Sequence, residues 1–451
     1  MHHKGVGSAG LGWEHVRNSE DVDGRSSRRA LLIGGAAVAG AVGLTACTAS
    51  GSKPADQSST DGGGPAGPAP GGKPVVSVVA DFGAKGDGTS DDSAAFAAAY
   101  RYAVSRVSGG TGRTLIEVPP GQYLVTQPNA LLNGDTPGRA ANGIRFLGGG
   151  KRITEIVFRP ARASGSYLCS NSDTWANVAF EEMTFTSGTP GASFCYSYST
   201  GNAQDYRFRD CEWLGEWTYG LALDGTNTNS EMRWEACRVG GSYRKAFLYS
   251  GLSQRSKAPA QQDQFLNYWF TDMKVEYEWG NFLEFPHGGS ITCRGGSYIV
   301  TGTRPSADPV YGTSSFFFRF PTATHATSVQ RFHAEDIRFE LRNPDVVVID
   351  SHWSSGTIRF NDCDDTANAF KSFSAGLQAH RFDIGPRGPL VRYDSCQLVG
   401  THEYRTPAGE PSGTVARYDM CQFATEPDPV LAASVTGTGP NPVGFTDCIG
   451  R

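Results

Sequence analysis

Residues 206–213 read Tyr-Arg-Phe-Arg-Asp-Cys-Glu-Trp, and variants of this eight-residue unit recur along most of the chain. In most copies positions one, three and eight are apolar or aromatic, position five is acidic, and position six is Cys or another small or apolar residue. The other copies are 178–185, 232–239, 268–275, 291–298, 332–339, 358–365, 391–398, 416–423 and 443–450, with a weaker early copy at 144–151. Because they return every 23–41 residues, they predict a solenoid whose repeats bury their apolar faces by stacking.

The pattern inside the unit predicts β-strands. Apolar residues alternate as they do along a strand that is buried on one face, which excludes a helical repeat. The alternation changes phase between positions three and six, so we expect a bend there, with position five near the left-handed region. A second strand, rich in aromatic and branched residues, follows each unit. The alternative fold, an antiparallel sandwich, would need hairpins every ~8–12 residues, whereas the unit returns every 23–41 residues. The sequence therefore predicts an all-β, single-stranded right-handed parallel β-helix.

Residues 1–47 have the features of an export signal. Arg28 and Arg29 precede an apolar run that ends in Leu-Thr-Ala before Cys47. The twin arginines resemble a Tat signal, and the end of the run resembles a bacterial lipobox, whose cysteine becomes the lipidated N-terminus. A transmembrane anchor is the alternative, but the run is shorter than the ~20 strongly apolar residues of a spanning helix. We therefore expect a Tat-exported lipoprotein, held by lipid on the extracellular face of the cell membrane.

Composition defines the rest of the chain. Residues 48–73 are rich in Gly, Pro, Ser and Asp and predict a flexible linker without a core. Residues 75–451 then form one solenoid domain, since a solenoid grows by adding repeats. The 451-residue chain has a net charge of -5, which gives no basic field and argues against a nucleic-acid partner. Nothing in the sequence specifies an oligomeric state.

The entry to the solenoid carries a recognisable signature. Residues 81–92 read Asp-Phe-Gly-Ala-Lys-Gly-Asp-Gly-Thr-Ser-Asp-Asp, and residues 116–125 read Ile-Glu-Val-Pro-Pro-Gly-Gln-Tyr-Leu-Val. Both stretches resemble the pectate-lyase-like superfamily, in particular its rhamnogalacturonase and epimerase-type branch. Thr89 and Asp92 also predict a capping-box-like helix start, followed by apolar residues on one helical face. This N-terminal helix is expected to cap the open end of the solenoid, where an unpaired edge invites aggregation.

The resemblance implies an extracellular carbohydrate-active protein whose partner is a polysaccharide. The Asn-Thr-Asp and Arg-Ile-Lys motifs of polygalacturonase-like enzymes do not occur in the sequence. Three functions therefore stay open, with a glycoside hydrolase as the leading expectation and the other two as alternatives. A glycoside hydrolase acts through two carboxylates that flank a groove, a uronate lyase or epimerase acts through a base and a cation, and a cell-surface glycan-binding protein needs only the groove. No cofactor is expected, apart from calcium in the case of a lyase.

The cysteines follow the repeat. Six of the nine cysteines after Cys47 occupy position six, where inward side chains of successive coils stack about 4.8 Å apart. This predicts a buried ladder of free thiols, with disulfides between neighbours such as Cys211 and Cys237 as the alternative. The His and Cys residues lack the close pairs typical of zinc sites, so the sequence does not predict a metal site.

Outward positions are where a solenoid can carry function. Position two and the positions around seven hold rows of charged residues, which predict a solvated face or, alternatively, a surface for acidic polysaccharide. These are Arg207, Arg233, Arg359, Arg392, Arg417, Lys274, Glu276, Arg338 and Glu340. Tryptophans offer sugar-stacking faces, although in a solenoid they more often belong to the core. They are Trp213, Trp217, Trp269, Trp279 and Trp353.

The second strand of each coil carries the candidate catalytic row. Glu284, Arg319 and Asp350 occupy equivalent outward slots on consecutive coils, so Glu284 and Asp350 are expected about 9.6 Å apart. That separation approaches the ~6.5–9.5 Å of inverting glycosidases. Arg319 would keep both carboxylates ionised or, in a lyase, neutralise the substrate carboxylate. Histidines on the following loops are candidates for proton transfer. The full candidate set is Glu284, Asp350, Arg319, His287, His352 and the more distant Asp224.

Overall fold

The structure is a computed structural model. It describes residues 72–450 apart from 109, 111, 134–140, 172–174, 200–202, 226–228, 252–265, 287, 323–329, 368–376, 408, 410, 412, 425–432 and 438–442. The chain divides into two units, Met1–Gly62 and Gly63–Arg451, and every described residue belongs to the second. The predicted signal region and nearly all of the predicted linker lie outside the described residues. No helix of the described part is both long enough and apolar enough to cross a membrane.

One helix, Ser93–Ser108, and 33 strands make up the described part. Every strand pairs in parallel with its equivalent on the neighbouring coil, as Tyr206 does with Val178. The pairings form three sheets along the solenoid, and each complete coil contributes one strand to each sheet. This confirms the predicted parallel β-helix. It also extends the prediction, because the eight-residue unit supplies strands to two sheets and the downstream strand supplies the third.

Four long strands turn a corner of the coil. Thr184–Ser199 and Glu212–Gly225 run from the second sheet into the third, and Tyr268–Tyr277 and Gly289–Val300 run from the first into the second. The other strands of the first sheet are Val75–Ser77, Thr114–Glu117, Ala141–Asn142, Ile144–Leu147, Trp175–Glu181, Gln204–Arg209, Met232–Glu235, Gln330–Glu335, Thr357–Asn361, Leu390–Asp394, Ala416–Asp419 and Val443–Thr446. Those of the second are Asp87–Asp91, Gly121–Val125, Thr154–Phe158, Arg238–Val239, Arg338–Leu341, Asp364–Thr366, Gln397–Leu398 and Gln422–Phe423. Those of the third are Leu132–Asn133, Tyr167–Asn171, Ser242–Ser250, Asn281–Glu284, Ser315–Phe320, Val346–Ser351, His380–Asp383, Thr401–Arg405 and Ser434–Gly437.

Position five of the unit is the corner between the first and second sheets. Its residues adopt a left-handed backbone, with φ of 53° at Asp210, Asp272 and Asp336 and 69° at Gly295. Short acidic side chains and glycine tolerate this conformation better than bulky residues do. The bend predicted from the change of phase is therefore confirmed, and it lets positions one, three, six and eight all point inward.

The N-terminal helix packs on the first coils. The Phe96 ring meets the Tyr123 ring edge-on, with centroids 5.6 Å apart, and the Tyr100 hydroxyl donates to the Asn133 carbonyl at 2.9 Å. The predicted end cap is thus observed, but its predicted capping box is wrong. The Asp92 carboxylate accepts instead from the backbone N–H groups of Lys85 and Gly86, at 2.6 and 3.1 Å. It thereby holds the turn-rich segment that precedes the helix.

Aromatic side chains at position three stack along the interior of the first sheet. Phe208 and Trp234 lie 5.3 Å apart at 14°, and Tyr393 and Tyr418 lie 4.8 Å apart at 3°. Parallel strands place equivalent side chains at about the coil spacing, which suits offset ring stacking. In the core of the first sheet, an aromatic side chain of one coil therefore stacks on the equivalent aromatic side chain of the next coil.

The cysteine ladder is also present. All nine cysteines that the structure describes are free thiols, and only Cys448 is not buried. The Cys211 thiol lies 3.3 Å from the Phe180 carbonyl of the preceding coil and 3.4 Å from the Arg209 carbonyl of its own coil. Burial raises the pKa of Cys211, so this thiol stays protonated and donates to the carbonyl oxygens at the corner.

Candidate functional site

The predicted row exists on the outer face of the third sheet. Glu284 pairs in register with Arg319 on the next coil, and Arg319 pairs with Asp350 on the coil after that. The side chains nevertheless separate into two groups. Arg319 forms an ion pair with Glu284, whereas Asp350 lies against His352 and Arg405.

Glu284 lies in the first group and is only 1% exposed. One carboxylate oxygen accepts from the Asn281 amide and the Tyr311 hydroxyl, each at 2.9 Å, and the other accepts from the Arg319 guanidinium. The Arg319 guanidinium also lies 5.1 Å over the Tyr311 ring. Both carboxylate oxygens are therefore held by protein donors, as is typical of a buried structural anion.

The segment around Tyr311 forms a cover over Glu284. Within it, the Arg304 guanidinium donates to the Ser314 carbonyl at 2.7 Å and to the Asn281 side-chain oxygen at 3.1 Å, and lies 4.7 Å over the Tyr311 ring. The sequence indicated an insertion here but not its direction. It folds back over the row and closes the solvent path to Glu284.

The second group has His352 at its centre. Its two ring nitrogens lie 2.6 Å from an Asp383 oxygen and 3.5 Å from an Asp350 oxygen. Arg405 spans the same two carboxylates, at 2.8 Å from Asp383 and 3.3 Å from Asp350. We call these four residues the His352 cluster. His352 and Asp383 are accessible, at 33% and 19% exposed, whereas Asp350 is buried behind them.

The cluster sets its own protonation states. Hydrogen bonds to Asp350 and Asp383 outweigh burial and raise the pKa of His352 to about 9. Burial opposes ionisation of Asp350, but the His352 hydrogen bond and the charges of Arg405 and Arg381 prevail and lower the pKa of that carboxyl. At neutral pH the cluster therefore offers a protonated imidazole next to the ionised carboxylate of Asp350. This is a proton donor beside a proton acceptor.

Arg381 and Arg405 were missed by the sequence reasoning. Arg381 pairs in register with Asp350, and Glu403 follows Arg381 on the next coil. Arg405 lies two residues beyond Glu403, in register with Asp383. Extending the alignment of outward positions on the third sheet by two coils beyond Asp350 would have identified both arginines.

The remaining candidates lie elsewhere. Asp224 is buried, pairs in register with Tyr198, and lies four coils before His352 on the third sheet. His287 lies outside the described residues. Of the tryptophans considered for sugar stacking, Trp213, Trp217 and Trp353 are buried in the core. Trp269 and Trp279 are partly exposed.

Two clefts add concave surface. The larger, about 720 Å³, lies on the first sheet, where Arg145 and Arg207 flank the short side chain of Ala179 in register. The cleft carries both signs of charge, because Glu181, Asp205 and Glu231 line it together with the arginines, and Arg145 pairs with Glu181 at 2.6 Å. This lining favours the solvated face of ion pairs over a surface for acidic polysaccharide.

The second cleft, about 600 Å³, borders the cover over Glu284. It is lined by Arg244, Lys245 and Arg304 together with Trp279, and Lys245 pairs with Asp308 at 3.3 Å. Arg244 pairs with Glu216 at 2.6 Å, and the Arg304 guanidinium lies 5.7 Å over the Trp279 ring, so the cations of this cleft already have partners in the protein. This cleft lies at the start of the third-sheet strands.

The raised pKa of His352 predicts a pH-dependent stability. Its folded pKa of about 9 lies above the unfolded value of about 6.5, so protonation stabilises the fold fully below about pH 6.5, and this contribution is lost as pH rises through about 9. After discounting for solvent screening we expect on the order of 1–2 kcal/mol. The difference in melting temperature between the wild type and His352→Gln should narrow as pH rises from about 6.5 to 9. A difference that stays constant over this range would contradict the assigned pKa.

Comparison with known proteins supports the fold. Residues 75–182 match the family model described as "Rhamnogalacturonase A/epimerase, pectate lyase-like". The match covers the capping helix and the first coils, and it confirms the pectate-lyase-like resemblance of residues 81–92. No curated protein sequence matches the chain.

Several solved structures are similar in shape. The A-module of mannuronan C-5 epimerase AlgE4 of Azotobacter vinelandii is 13% identical, with a TM-score of 0.44 over 83% of this chain and 96% of that one. The surface adhesin PfbA of Streptococcus pneumoniae is 11% identical, with a TM-score of 0.39 over 83% and 91%. An alpha-1,3-glucanase of family GH87 from Streptomyces thermodiastaticus is 14% identical, with a TM-score of 0.31 over 85% and 71%. At such low identities and scores these likenesses say nothing about the activity of this chain.

Proposed function

We propose that this chain is a carbohydrate-active enzyme that acts on a uronate-containing polysaccharide as a lyase or C5-epimerase at the His352 cluster. The proposal rests on a protonated histidine held between the carboxylates of Asp350 and Asp383 on the outer face of the third sheet. The family model over residues 75–182 supports the substrate class, because its description combines rhamnogalacturonase, epimerase and pectate lyase-like proteins.

The chemistry requires three groups. A base removes the proton on C5 of the uronate, a cation neutralises the sugar carboxylate so that the carbanion can form, and an acid completes the reaction. In a lyase the C5 electron pair forms the C4–C5 double bond while O4 leaves with a proton. In an epimerase the acid returns a proton to the opposite face of C5. For the lyase reaction we assign Asp383 as base, His352 as acid and Arg381 as the cation. Because His352 lies 2.6 Å from Asp383, both groups face one side of the sugar, and an epimerase would need an acid from outside the cluster on the other side.

A glycoside hydrolase acting through Glu284 and Asp350 is the second candidate. It needs one carboxyl that stays protonated at neutral pH, which requires a raised pKa. The pKa of Asp350 is lowered, and Glu284 is covered and bonded at both oxygens. The geometry therefore favours the uronate reaction, in which the protonated group is an imidazole.

The test is an assay of purified residues 75–451 on plant, algal and bacterial polysaccharides. Absorbance of unsaturated uronates reports a lyase, proton exchange at C5 followed by NMR reports an epimerase, and new reducing ends without absorbance report a hydrolase. We expect one of the first two signals on an acidic glycan. Binding without any turnover would instead favour a glycan-binding surface protein. Repeating the assay with a chelator tests the expectation that a cofactor is needed only if a lyase uses calcium.

We also propose that the protein is exported by the Tat route and anchored by lipid on Cys47. Because the twin arginines of a Tat signal are read as a pair, Lys at Arg28 and Arg29 should block export. Cys47→Ala should leave the protein exported but free of the membrane fraction, since no lipid can be attached. Fractionation of cells with immunoblotting measures both effects. Wild-type distribution of either variant would contradict the corresponding step.

A further inference from the structure

The solenoid interior near its C-terminal end contains a cluster of ionisable side chains that the outer face does not use. Asp365, His380 and His402 are all buried, and one potential ligand atom from each lies within 4.8 Å of the other two. Asp365 and His380 belong to one coil and His402 to the next, where His380 and His402 pair in register. Another polar group of the interior, Asn171, Ser197 and Asn229, carries no ionisable side chain, and its members hydrogen-bond one another.

Two tyrosines orient both imidazoles the same way. Nδ1 of His380 is 2.9 Å from the Tyr393 hydroxyl, and Nδ1 of His402 is 3.0 Å from the Tyr418 hydroxyl. The two tyrosine rings stack at 4.8 Å, and the two imidazoles stack at 4.0 Å. Both Nε2 atoms therefore point away from the tyrosine column. His380 Nε2 lies 3.0 Å from an Asp365 oxygen on that side.

His402 Nε2 is buried and has no hydrogen-bond partner among the described residues. Other buried polar atoms of the described residues also lack a partner, but His402 Nε2 is the one that lies beside two further potential metal ligands, so an ion would satisfy it. Two imidazole nitrogens and a carboxylate oxygen are ligands that zinc and related divalent metals accept, and a hydrogen bond on the other ring nitrogen is the usual support for a ligating histidine. Here the tyrosine hydroxyls provide that support.

We propose that Asp365, His380 and His402 bind one divalent transition-metal ion, with zinc as the best match, and that the ion ties the last coils together. His380 Nε2 and the Asp365 oxygen are already 3.0 Å apart, and no pair of ligand atoms is separated by more than 4.8 Å. Binding would turn the stacked imidazoles so that their Nε2 atoms converge, and would bring all three ligand atoms to about 3.3 Å, the separation of tetrahedral zinc ligands. The second Asp365 oxygen or a water completes the coordination. Because the site is enclosed, the ion enters during folding, and its binding energy adds to the stability of the fold.

The first test is the metal content of the wild-type chain, purified from zinc-supplemented cells and passed through chelator-containing buffer. We expect about one zinc per chain by mass spectrometry, and the absorption of tetrahedral Co²⁺ in protein refolded with cobalt. Absence of metal from both preparations would overturn the proposal. This measurement does not depend on the folding of any variant.

Variants then assign the ligands. His402→Phe keeps the ring volume and should lose the metal and lower the melting temperature, whereas His333→Phe, on the outer face of the first sheet, should keep the full metal content. Because His402→Phe also removes the Nδ1 partner of the Tyr418 hydroxyl, the proposal predicts a loss of melting temperature that is larger in zinc-loaded than in metal-free protein, and an equal loss in both would overturn it. Equal metal content in the wild type and His402→Phe would also overturn the site. Asp365→Asn, which keeps the side-chain shape, should weaken retention of zinc against chelator.

Discussion

Replacing His352 with glutamine is expected to lower turnover of a uronate-containing polysaccharide at least about 100-fold, because it removes the proton donor of the cluster. Glutamine can still bond one of the two flanking carboxylates, so the fold should persist. Asp383→Asn should have a similar effect, since it removes the assigned base. The measurement is the initial rate on the substrate that the wild type proves to use, with circular dichroism to confirm folding.

The matched control for His352→Gln is His333→Gln. His333 is a partly buried histidine in register with Arg359 on the first sheet, well removed from the His352 cluster in the coil. It should retain wild-type turnover. Near-normal turnover of His352→Gln and Asp383→Asn in folded protein would place the activity elsewhere, and the basic cleft beside Trp279 would become the next site to mutate.

Replacing Glu284 with alanine is expected to destabilise the domain by about 3–5 kcal/mol, the range found when one partner of a buried ion pair is removed. The change leaves Arg319 without its counterion, and the Tyr311 hydroxyl and Asn281 amide without their acceptor. Chemical denaturation measures the loss as a lower midpoint at an unchanged slope.

Glu235→Ala is the control for this prediction. Glu235 pairs with Arg207 at 2.9 Å, but both side chains are nearly half exposed, so the loss should be below about 1 kcal/mol. A small loss for Glu284→Ala, together with a large loss of turnover, would show instead that Glu284 acts on substrate. The two variants thus separate a structural from a catalytic role for this carboxylate.

The sequence predicted the coil because its determinants are local or repeat along the chain. Left-handed backbone at Asp210 and Asp336 follows from the steric tolerance of short side chains, and the inward column of Phe208 and Trp234 follows from alternation within each strand. The register of Glu284, Arg319 and Asp350 was equally accessible, since equivalent slots on parallel coils must stack.

The ion-pair partners of Glu284, Arg319 and Asp350 could not be predicted from the sequence. Arg319 is adjacent to both carboxylates in register, yet its guanidinium turns toward Glu284 because Tyr311 folds over that side and accepts the cation on its ring face. Asp350 then lies with His352 and Arg405, which is two coils away. Side-chain direction across coils depends on rotamers and on insertions, neither of which the repeat encodes.

The repeat specifies the solenoid, its corner residues, the buried thiols and the outward row, because stacking neighbours and backbone sterics leave few alternatives to a chain with this pattern. Which charged side chains meet depends on the folded coils. His380 and His402 show no metal-site spacing along the chain, yet the length of one coil brings their rings to 4.0 Å beside Asp365. In a solenoid, residues one coil apart in sequence come into direct contact. Because the coils of this chain differ in length, the sequence does not show which residues are one coil apart, and these contacts are seen only in the folded chain.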